Sequence, residues 1–311
     1  MTNRNNQPIK VGTRGSNLSL TQTGHVIDAL SQATPGIDFE IVTIKTTGDH
    51  DQWENQMPLK VGVFVRELES ALLSNRIDIA VHSLKDMPSS LTPNLVIAAV
   101  PEREDPRDAL VSPKGILLED LPLGSRVGTG SIRRQALVKS IRPDLTLEPV
   151  RGNVDTRLKK LRQAGGPDAL ILATAGLNRL GLQNLISQHL PCMEFVAAVG
   201  QGALAVETRT DDKFTTELAS KIDHLETRQA ITAERAFLHV IGGGCSSSVS
   251  AHAQITKQQL EISAFASTPD ASTFLRERVT GMASDAANIG FNLGQSFVAQ
   301  GVRQLLSKGS V

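Results

Sequence analysis

The sequence predicts an α/β protein made of two α/β lobes followed by a smaller C-terminal α+β domain. From residue 9 to about residue 200, strand-like apolar segments alternate with segments of helical periodicity, which is typical of βαβ units and a mainly parallel sheet. The alternation restarts after the charged, proline-containing stretch 101–108, which indicates a hinge between two lobes. From about Leu225 a long helix and consecutive short strands favour a separate domain with an antiparallel sheet.

The first lobe is predicted from four strand-like segments and two helices. In chain order these are strand IKVGTR, a helix at about Leu20–Ser31, strand FEIVTIKTT, a helix at about Phe64–Asn75, and strands IDIAVH and NLVIAAV. The later segment GALAVETR, Gly202–Arg209, also has the composition of a strand, so the chain is expected to return to this lobe. Two crossings between two lobes predict a cleft.

The second lobe and the C-terminal domain are also predicted from their strand-like and helical segments. The second lobe contains SRVGTG, a helix at Ser131–Ile141, LTLEPVR, a helix from Asn153, DALILATA and AGLNRLGL. The C-terminal domain contains a helix at Glu226–Val240, the turn GGGC, strands VSAHAQI, LEISAFA and FLRERVTG, and a helix at Asp285–Leu306. The predicted domains are residues 1–101 with 202–221, residues 107–197, and residues 225–311.

Composition excludes several classes of protein. The 32 basic and 32 acidic residues give zero net charge, and aromatic residues are only 3% with no Tyr, so a nucleic-acid partner is not favoured. No apolar run approaches the roughly 18 residues of a membrane span, and the N-terminal segment lacks the apolar core of a signal peptide. We therefore expect a cytoplasmic protein without a membrane partner. Cys192 and Cys245 lack metal-ligand spacing, so we expect neither a disulfide nor a metal site.

The segment VHSLKDMP carries the clearest chemical signal. It follows the strand-like run at residues 77–81 and places His82, Ser83, Lys85 and Asp86 where that strand should end. In open α/β sheets, ligands bind outside the carboxyl ends of strands. A Lys beside an Asp at such a position can bind an anion and also face a developing cation. By itself the segment is equally well read as a polar exit from a strand.

Three strand-to-helix turns carry arginine. VGTGSIRRQ places Ser131, Arg133 and Arg134 at a helix start, LEPVRGNVDTR places Arg151 and Arg157 around the next helix start, and VGTRGSNLSLTQ places Arg14 and Ser16 at a third. Free N–H groups at a helix start and forked guanidinium donors both suit carboxylate or phosphate groups. The alternative for any one arginine is an ion pair with a neighbouring Asp or Glu. No turn matches a nucleotide-binding glycine motif, so a nucleotide cofactor is not favoured.

Cys245 follows three glycines at the end of a long predicted helix. Glycines permit positive φ and close backbone approach, so this turn can expose the thiol on a loop. The alternative is a helix C-cap beside a small buried cysteine. Cys192 lies in HLPCME without such a setting and is interpreted as structural.

Taken together, these segments resemble the porphobilinogen deaminase (hydroxymethylbilane synthase) family. The matching segments follow the family's order over nearly the whole chain: TRGSNLSLTQ, FVRELESALL, DIAVHSLKDMP, EREDPRDAL, VGTGSIRRQ, RPDL, RGNVDTRL, ILATAGLNRLGL, AVGQGALAVE, TAERAF and GGGC. The resemblance implies a cytoplasmic, monomeric transferase with two lobes similar to periplasmic binding proteins. It also implies that four porphobilinogen molecules are joined head to tail, with loss of ammonia at each step, to give hydroxymethylbilane for tetrapyrrole biosynthesis.

The resemblance also implies a cofactor and a set of site residues. A dipyrromethane would be attached covalently by a thioether to Cys245 and would act as the primer for chain growth. Asp86 would be the catalytic carboxylate and would also contact the cofactor. The other cofactor-binding residues would be Lys85, Ser131, Arg133 and Arg134. The substrate carboxylates would be bound with the help of Arg14, Ser16, Lys60, Phe64, Arg151, Arg157 and Arg179.

The chain departs from the family before the second predicted helix. The family commonly has approximately KVGGKGLFVKELE, whereas this chain has LKVGVFVRELE, which is about three residues shorter and lacks one lysine of the loop thought to cover the site. Gly130 and Gly15 also stand where the family usually has a Ser and a polar residue. Two alternatives therefore remain open: a family member whose activity is altered by the shorter loop, and a non-enzymatic bilobal protein that binds anions.

Overall fold

The computed structural model describes residues 7–44, 65–242, 247–268 and 270–307. These residues form two compact units, one of residues 1–103 with 203–228 and the other of residues 104–202 with 229–311. The return of the chain to the first unit, expected from the segment GALAVETR, is found as a strand at Leu204–Arg209.

The first unit is built on a five-stranded mixed sheet in the order β2-β1-β3-β10-β4. The strands are β1 (Ile9–Thr13), β2 (Phe39–Thr43), β3 (Ile79–Ser83), β4 (Leu95–Ala99) and β10 (Leu204–Arg209). β1 pairs in parallel with β2 and β3, whereas β10 is antiparallel to both β3 and β4. The expected mainly parallel sheet is therefore mixed, because the returning strand β10 inserts in the opposite direction.

Helices cover both faces of this first sheet, because its strands carry apolar side chains on both faces. They are α1 (Asn17–Ala33), α2 (Arg66–Leu73) and α6 (Lys213–Ser220). One core cluster contains Val26 and Leu30 of α1 with Leu218 of α6, and it packs on Val11 and Val81. The other cluster lies under α2 and includes the buried residues Ile44, Leu68, Leu72, Ile77 and Ala80.

The second unit contains a similar sheet in the order β7-β6-β8-β5-β9. Its strands are β5 (Asp108–Val111), β6 (Arg126–Gly128), β7 (Thr146–Glu148), β8 (Ala169–Ala173) and β9 (Gln188–Leu190), and its helices are α3 (Ile132–Ile141), α4 (Val154–Arg162) and α5 (Thr174–Arg179). β6 is parallel to β7 and β8, and β5 is antiparallel to β8 and β9. The strands β5 and β9 were not apparent from the sequence pattern.

The C-terminal part of the second unit has the expected antiparallel sheet, in the order β11-β12-β13. Its strands are β11 (Val249–Thr256), β12 (Gln259–Ser267) and β13 (Phe274–Met282). The helices are α7 (Leu225–Ile241), of which residues 229–241 belong to this unit, α8 (Ala286–Ala299) and α9 (Val302–Ser307). The single C-terminal helix expected at Asp285–Leu306 is wrong. It breaks at Gly301, whose φ of 84° ends α8.

Candidate functional site

Two polar turns follow neighbouring strands of the first unit. β1 continues through Arg14 and Ser16 into α1, and β3 continues into the 3-10 turn Leu84–Asp86. Because β1 and β3 pair in parallel, their carboxyl ends lie at the same edge of the sheet. Four residues singled out from the sequence therefore reach one edge: Arg14, Ser16, Lys85 and Asp86.

Ser16 has a structural task at the start of α1. It is the N-cap residue, and its Oγ accepts a hydrogen bond from Ser19 N at 3.2 Å. Its hydroxyl is also 2.7 Å from Ser19 Oγ. The cap fixes the direction in which the Arg14–Ser16 turn leaves the strand. Ser16 itself is half-buried.

Asp86 ends the 3-10 turn and is half-buried. The turn is anchored by the buried Leu84, whose N–H donates to Ala203 O at 3.1 Å, and Met87 N donates to Leu84 O at 3.1 Å. Among the residues that the structure describes, none forms a hydrogen bond or an ion pair with the Asp86 carboxylate. A carboxylate in this state can accept hydrogen bonds from the N–H groups of a ligand.

The second unit also presents its parallel strand ends at one edge. β6 leads through Ser131 into α3, and β7 leads through Arg151 and Asn153 into α4. Ser131 Oγ accepts from Arg134 N at 3.4 Å and Asn153 Oδ1 accepts from Thr156 N at 2.8 Å, so both helices are capped by their predicted first residues. The unpaired N–H groups and dipoles of the two helix starts favour a negative group at this edge.

Arg133 and Arg134 point into the second unit. Each is only 5% exposed, and both pair with the fully buried Asp108 of β5: Arg133 Nη1 lies 2.8 Å from Oδ2 and Arg134 Nη2 lies 2.7 Å from Oδ1. Arg133 Nη1 also donates to Val196 O at 2.8 Å, and Arg134 Nη1 donates to Ile171 O at 3.0 Å. The alternative of an ion pair with a neighbouring acid therefore describes these two arginines.

The charges of this cluster do not cancel. Burial alone would raise the pKa of Asp108, but the two guanidiniums and the hydrogen bond from Gln201 lower it to about 2, so the carboxyl is ionised at neutral pH. Burial lowers the pKa of Arg134, and the charge of Asp108 opposes that effect. Two guanidiniums facing one carboxylate leave an excess of one positive charge, which favours an acidic group near the α3 start.

The remaining arginines occupy different settings. Arg151 is exposed, and Arg157 is half-buried with its Nε donating to Gly152 O at 2.7 Å. Arg179 lies at the end of α5, and its Nη2 donates to Gly202 O at 2.8 Å. Burial lowers the pKa of Arg179, and the charge of Glu104 partly offsets this effect. Arg179 therefore holds the main chain at Gly202 in this structure.

Three of the predicted site residues, Lys60, Phe64 and Cys245, lie outside the described residues, and so does the shortened segment that precedes Phe64. Within the described ranges, no group of three or more His, Cys, Asp or Glu side chains is arranged to hold a metal ion. In the same ranges, no helix is long and apolar enough to cross a membrane.

Asp108 is the site-region residue that sequence reasoning missed. The sequence pattern assigns Asp108 to the polar hinge at residues 101–108, whereas in the structure it is the first residue of the buried strand β5. A signal was present, because Asp108 immediately precedes the apolar run Ala109–Val111.

Comparison with known proteins gives concordant matches. The family model described as "Porphobilinogen deaminase, dipyromethane cofactor binding domain" matches residues 9–217, and "Porphobilinogen deaminase, C-terminal domain" matches residues 228–299. A porphobilinogen deaminase of Roseiflexus sp. (strain RS-1) is 46% identical over 303 residues, covering 97% of this chain and 99% of the relative. One from Brevibacillus brevis is 43% identical over 302 residues, covering 96% of each.

Solved structures give only a distant likeness. A substrate-binding domain of a putative amino acid ABC transporter from Streptococcus pneumoniae has 14% identity and a TM-score of 0.42, covering 69% of this chain and 90% of that one.

Proposed function

The chain belongs to the porphobilinogen deaminase family, and on that premise we propose that it is a hydroxymethylbilane synthase that polymerises porphobilinogen with release of ammonia. The observation that carries this proposal is the similarity over nearly the full length of curated relatives, 46% over 303 residues in one case. It includes the turn bearing Asp86 and the helix starts bearing the arginines. The substrate is porphobilinogen, a pyrrole that carries an acetate and a propionate.

The described residues fit a dipyrromethane. Its pyrrole N–H groups need acceptors, and the Asp86 carboxylate is half-buried and engaged by none of the described residues. Its acidic side chains need cationic or N–H partners, which the capped helix starts and the excess charge of the Arg133–Arg134–Asp108 cluster supply. When bound, the cofactor supplies the free pyrrole carbon to which the first substrate is joined.

We assign the chemical step to Asp86. Loss of ammonia from the protonated aminomethyl group of porphobilinogen breaks its C–N bond and leaves a methylene-pyrroleninium cation, whose ring nitrogen keeps its proton and carries positive charge. A fixed carboxylate that accepts the ring N–H hydrogen bond stabilises this charge without any reorganisation of the site. The anchoring of Leu84 to Ala203 supports the assignment, because it holds the Asp86 turn against β10.

The other assignments follow from the family resemblance and remain proposals. Attachment of the cofactor is assigned to Cys245, and contacts to it are assigned to Lys85, Ser131, Arg133 and Arg134. Contacts with substrate carboxylates are assigned to Arg14, Ser16, Lys60, Phe64, Arg151, Arg157 and Arg179. For Arg133 and Arg134 the support is their joint excess charge, because their individual hydrogen bonds already go to Asp108 and to backbone carbonyls. The three-domain division, a monomeric state and a cytoplasmic location also stay predictions.

The test is turnover of porphobilinogen by the purified protein, following ammonia release and the length of the linear product together. The proposal predicts one ammonia per pyrrole added and a tetrapyrrole product. It also predicts an intact mass above that of the sequence by one dipyrrole, absent in Cys245→Ser. Ammonia release with products of another length would support the altered-activity alternative arising from the short LKVGVF segment. An unmodified Cys245 and no turnover, after expression in cells that make haem, would contradict the proposal.

A further inference from the structure

A buried cluster of ionisable groups in the first unit has no task in the mechanism above. It consists of Glu69 of α2, His82 of β3 and Glu207 of β10, which are 6%, 4% and 0% exposed. His82 Nε2 lies 3.1 Å from Glu207 Oε2. We propose that this cluster is a positioning device that fixes the turn carrying Lys85 and Asp86. The proposal rests on the function assigned to Asp86 in the preceding subsection.

The strand register places His82 and Glu207 on the sheet face that α2, the helix of Glu69, covers. Glu207 pairs with Ala80 and His82 pairs with Ala205, so Glu207 and His82 are diagonal neighbours on the same face of the sheet. Ala80 belongs to the apolar cluster under α2, which identifies this face as the one that α2 covers. The ionisable groups therefore lie inside an otherwise apolar helix–sheet interface, where burial is costly unless charges are paired.

Electrostatics couples Glu69 to the pair. Burial raises the pKa of Glu69; a hydrogen bond from Thr92 lowers it, the charge of Glu207 raises it, and the charges of His82 and Arg66 lower it. Groups from α2, β3, β10 and the loop before β4 thus act on one carboxyl. Among the described residues, Glu69 Oε1 and Glu207 Oε1 are buried without a hydrogen-bond partner. Native interiors seldom retain such atoms, and where they do a functional reason is common.

The cluster is directly continuous with the Asp86 turn along the chain. His82 is the fourth residue of β3, and the 3-10 turn begins two residues later at Leu84. β10 pairs with β3 along the main chain, and two further contacts flank this pairing: Glu207 contacts the His82 ring, and Ala203 O accepts from Leu84 N at 3.1 Å. If the Glu207–His82 contact is lost, only main-chain pairing connects β10 to this segment, and the side-chain contact that orients the His82 ring is gone.

The experiment compares Glu207→Leu, which removes the contact, with Glu207→Gln, which keeps hydrogen-bonding atoms at the same place. Thr208→Val is the matched control: Thr208 is buried in the same strand, its side chain faces the other way, and its Oγ1 lies 2.9 Å from Thr216 Oγ1. In each variant, amide hydrogen exchange of Leu84 and Met87 is measured in the full chain. The kcat and KM for porphobilinogen are measured in parallel.

We expect Glu207→Leu to raise exchange at Leu84 and Met87 about tenfold and to lower kcat about tenfold with KM within about twofold. Glu207→Gln should stay within about threefold of the wild type in both readouts, and Thr208→Val should leave both unchanged. If exchange in Glu207→Leu matches that in Thr208→Val, or if kcat is unaffected, the proposal is overturned. Should Glu207→Leu fail to fold, His82→Asn takes its place under the same criteria.

The two proposals fail in different ways in this experiment. If the wild type does not turn over porphobilinogen, the assigned function is wrong. The exchange rates of Leu84 and Met87 still decide whether Glu207 holds the turn, because they do not depend on substrate or on cofactor loading.

Discussion

The two units both place charged groups after parallel strands, but the partners of those groups differ. In the first unit, Asp86 follows β3 and its carboxylate is engaged by none of the described residues. In the second unit, Arg133 and Arg134 follow β6 and are already paired with the buried Asp108. A charged residue at a strand end is therefore not by itself a ligand contact: its partners inside the unit determine whether its charge is available to a ligand.

The topology explains where the internal partner comes from. In each sheet the fourth strand in the order, β10 in the first unit and β5 in the second, is antiparallel and follows a crossing of the chain from the other unit. β5 begins with Asp108, which pairs with Arg133 and Arg134. β10 carries Glu207, which contacts His82. In both units an acid on the crossing strand therefore pairs with a cationic or titratable residue of the parallel part.

The largest effect expected from this comparison concerns Asp108. Asp108→Asn leaves two buried guanidiniums without their counter-charge, so we expect the free energy of unfolding to fall by about 3 to 5 kcal/mol. Asp86→Asn, the matched change in the first unit, should alter it by less than about 0.5 kcal/mol because no described residue pairs with Asp86. Urea unfolding followed by circular dichroism measures both. Equal losses in the two variants would remove the distinction between the units.

Lowering the pH should remove the contribution of the Asp108 ion cluster to the free energy of unfolding. The pKa of Asp108 in the folded protein is about 2, below the ordinary value of 3.8, so its stabilising contribution is present above pH 3.8 and is lost as the pH falls towards 2. The shift corresponds to about 2 kcal/mol. The difference in unfolding free energy between the wild type and Asp108→Asn should shrink by about this amount between pH 5 and pH 2. A pH-independent difference would show that Asp108 is not ionised in the cluster.

Sequence reasoning recovered most of the parallel architecture because apolar periodicity and helix caps are local signals. The sequence pattern places Ser16 and Ser131 at helix starts, and in the structure both cap their helices by accepting a backbone hydrogen bond. The Asp108 partner was not found because it lies 25 residues before Arg133 and only the β5–β8 pairing brings it under α3. The break at Gly301 was missed because helical periodicity continues across it.

A smaller effect is expected at Gly130, where the resemblance described above implies a Ser in the family. A Cβ atom there would lie 3.0 Å from Val150 O and 3.3 Å from Arg151 Cγ, so Gly130→Ser crowds the β7–α4 connection and should lower the free energy of unfolding by about 1 kcal/mol. Urea unfolding of the variant at pH 7 measures the loss. A gain in stability would mean that the connection moves freely to accept the side chain.

The smallest effect is expected at the equivalent turn of the first unit. A Cβ atom at Gly15 would meet only Thr43 Cγ2, at an ordinary contact distance of 3.4 Å. Gly15→Ser should therefore change the free energy of unfolding by less than about 0.5 kcal/mol, as measured by the same urea titration. A loss as large as that in Gly130→Ser would show that the two turns are equally crowded.

The central claim is that Asp86 serves the reaction rather than the fold. The most direct test is turnover of porphobilinogen by Asp86→Asn, expressed per cofactor-loaded molecule as counted by intact mass. We predict that turnover falls about 100-fold or more, because a neutral amide cannot offset positive charge on the pyrrole ring, while the urea unfolding curve stays that of the wild type. Turnover within about twofold of the wild type in a folded, cofactor-loaded variant would contradict the claim.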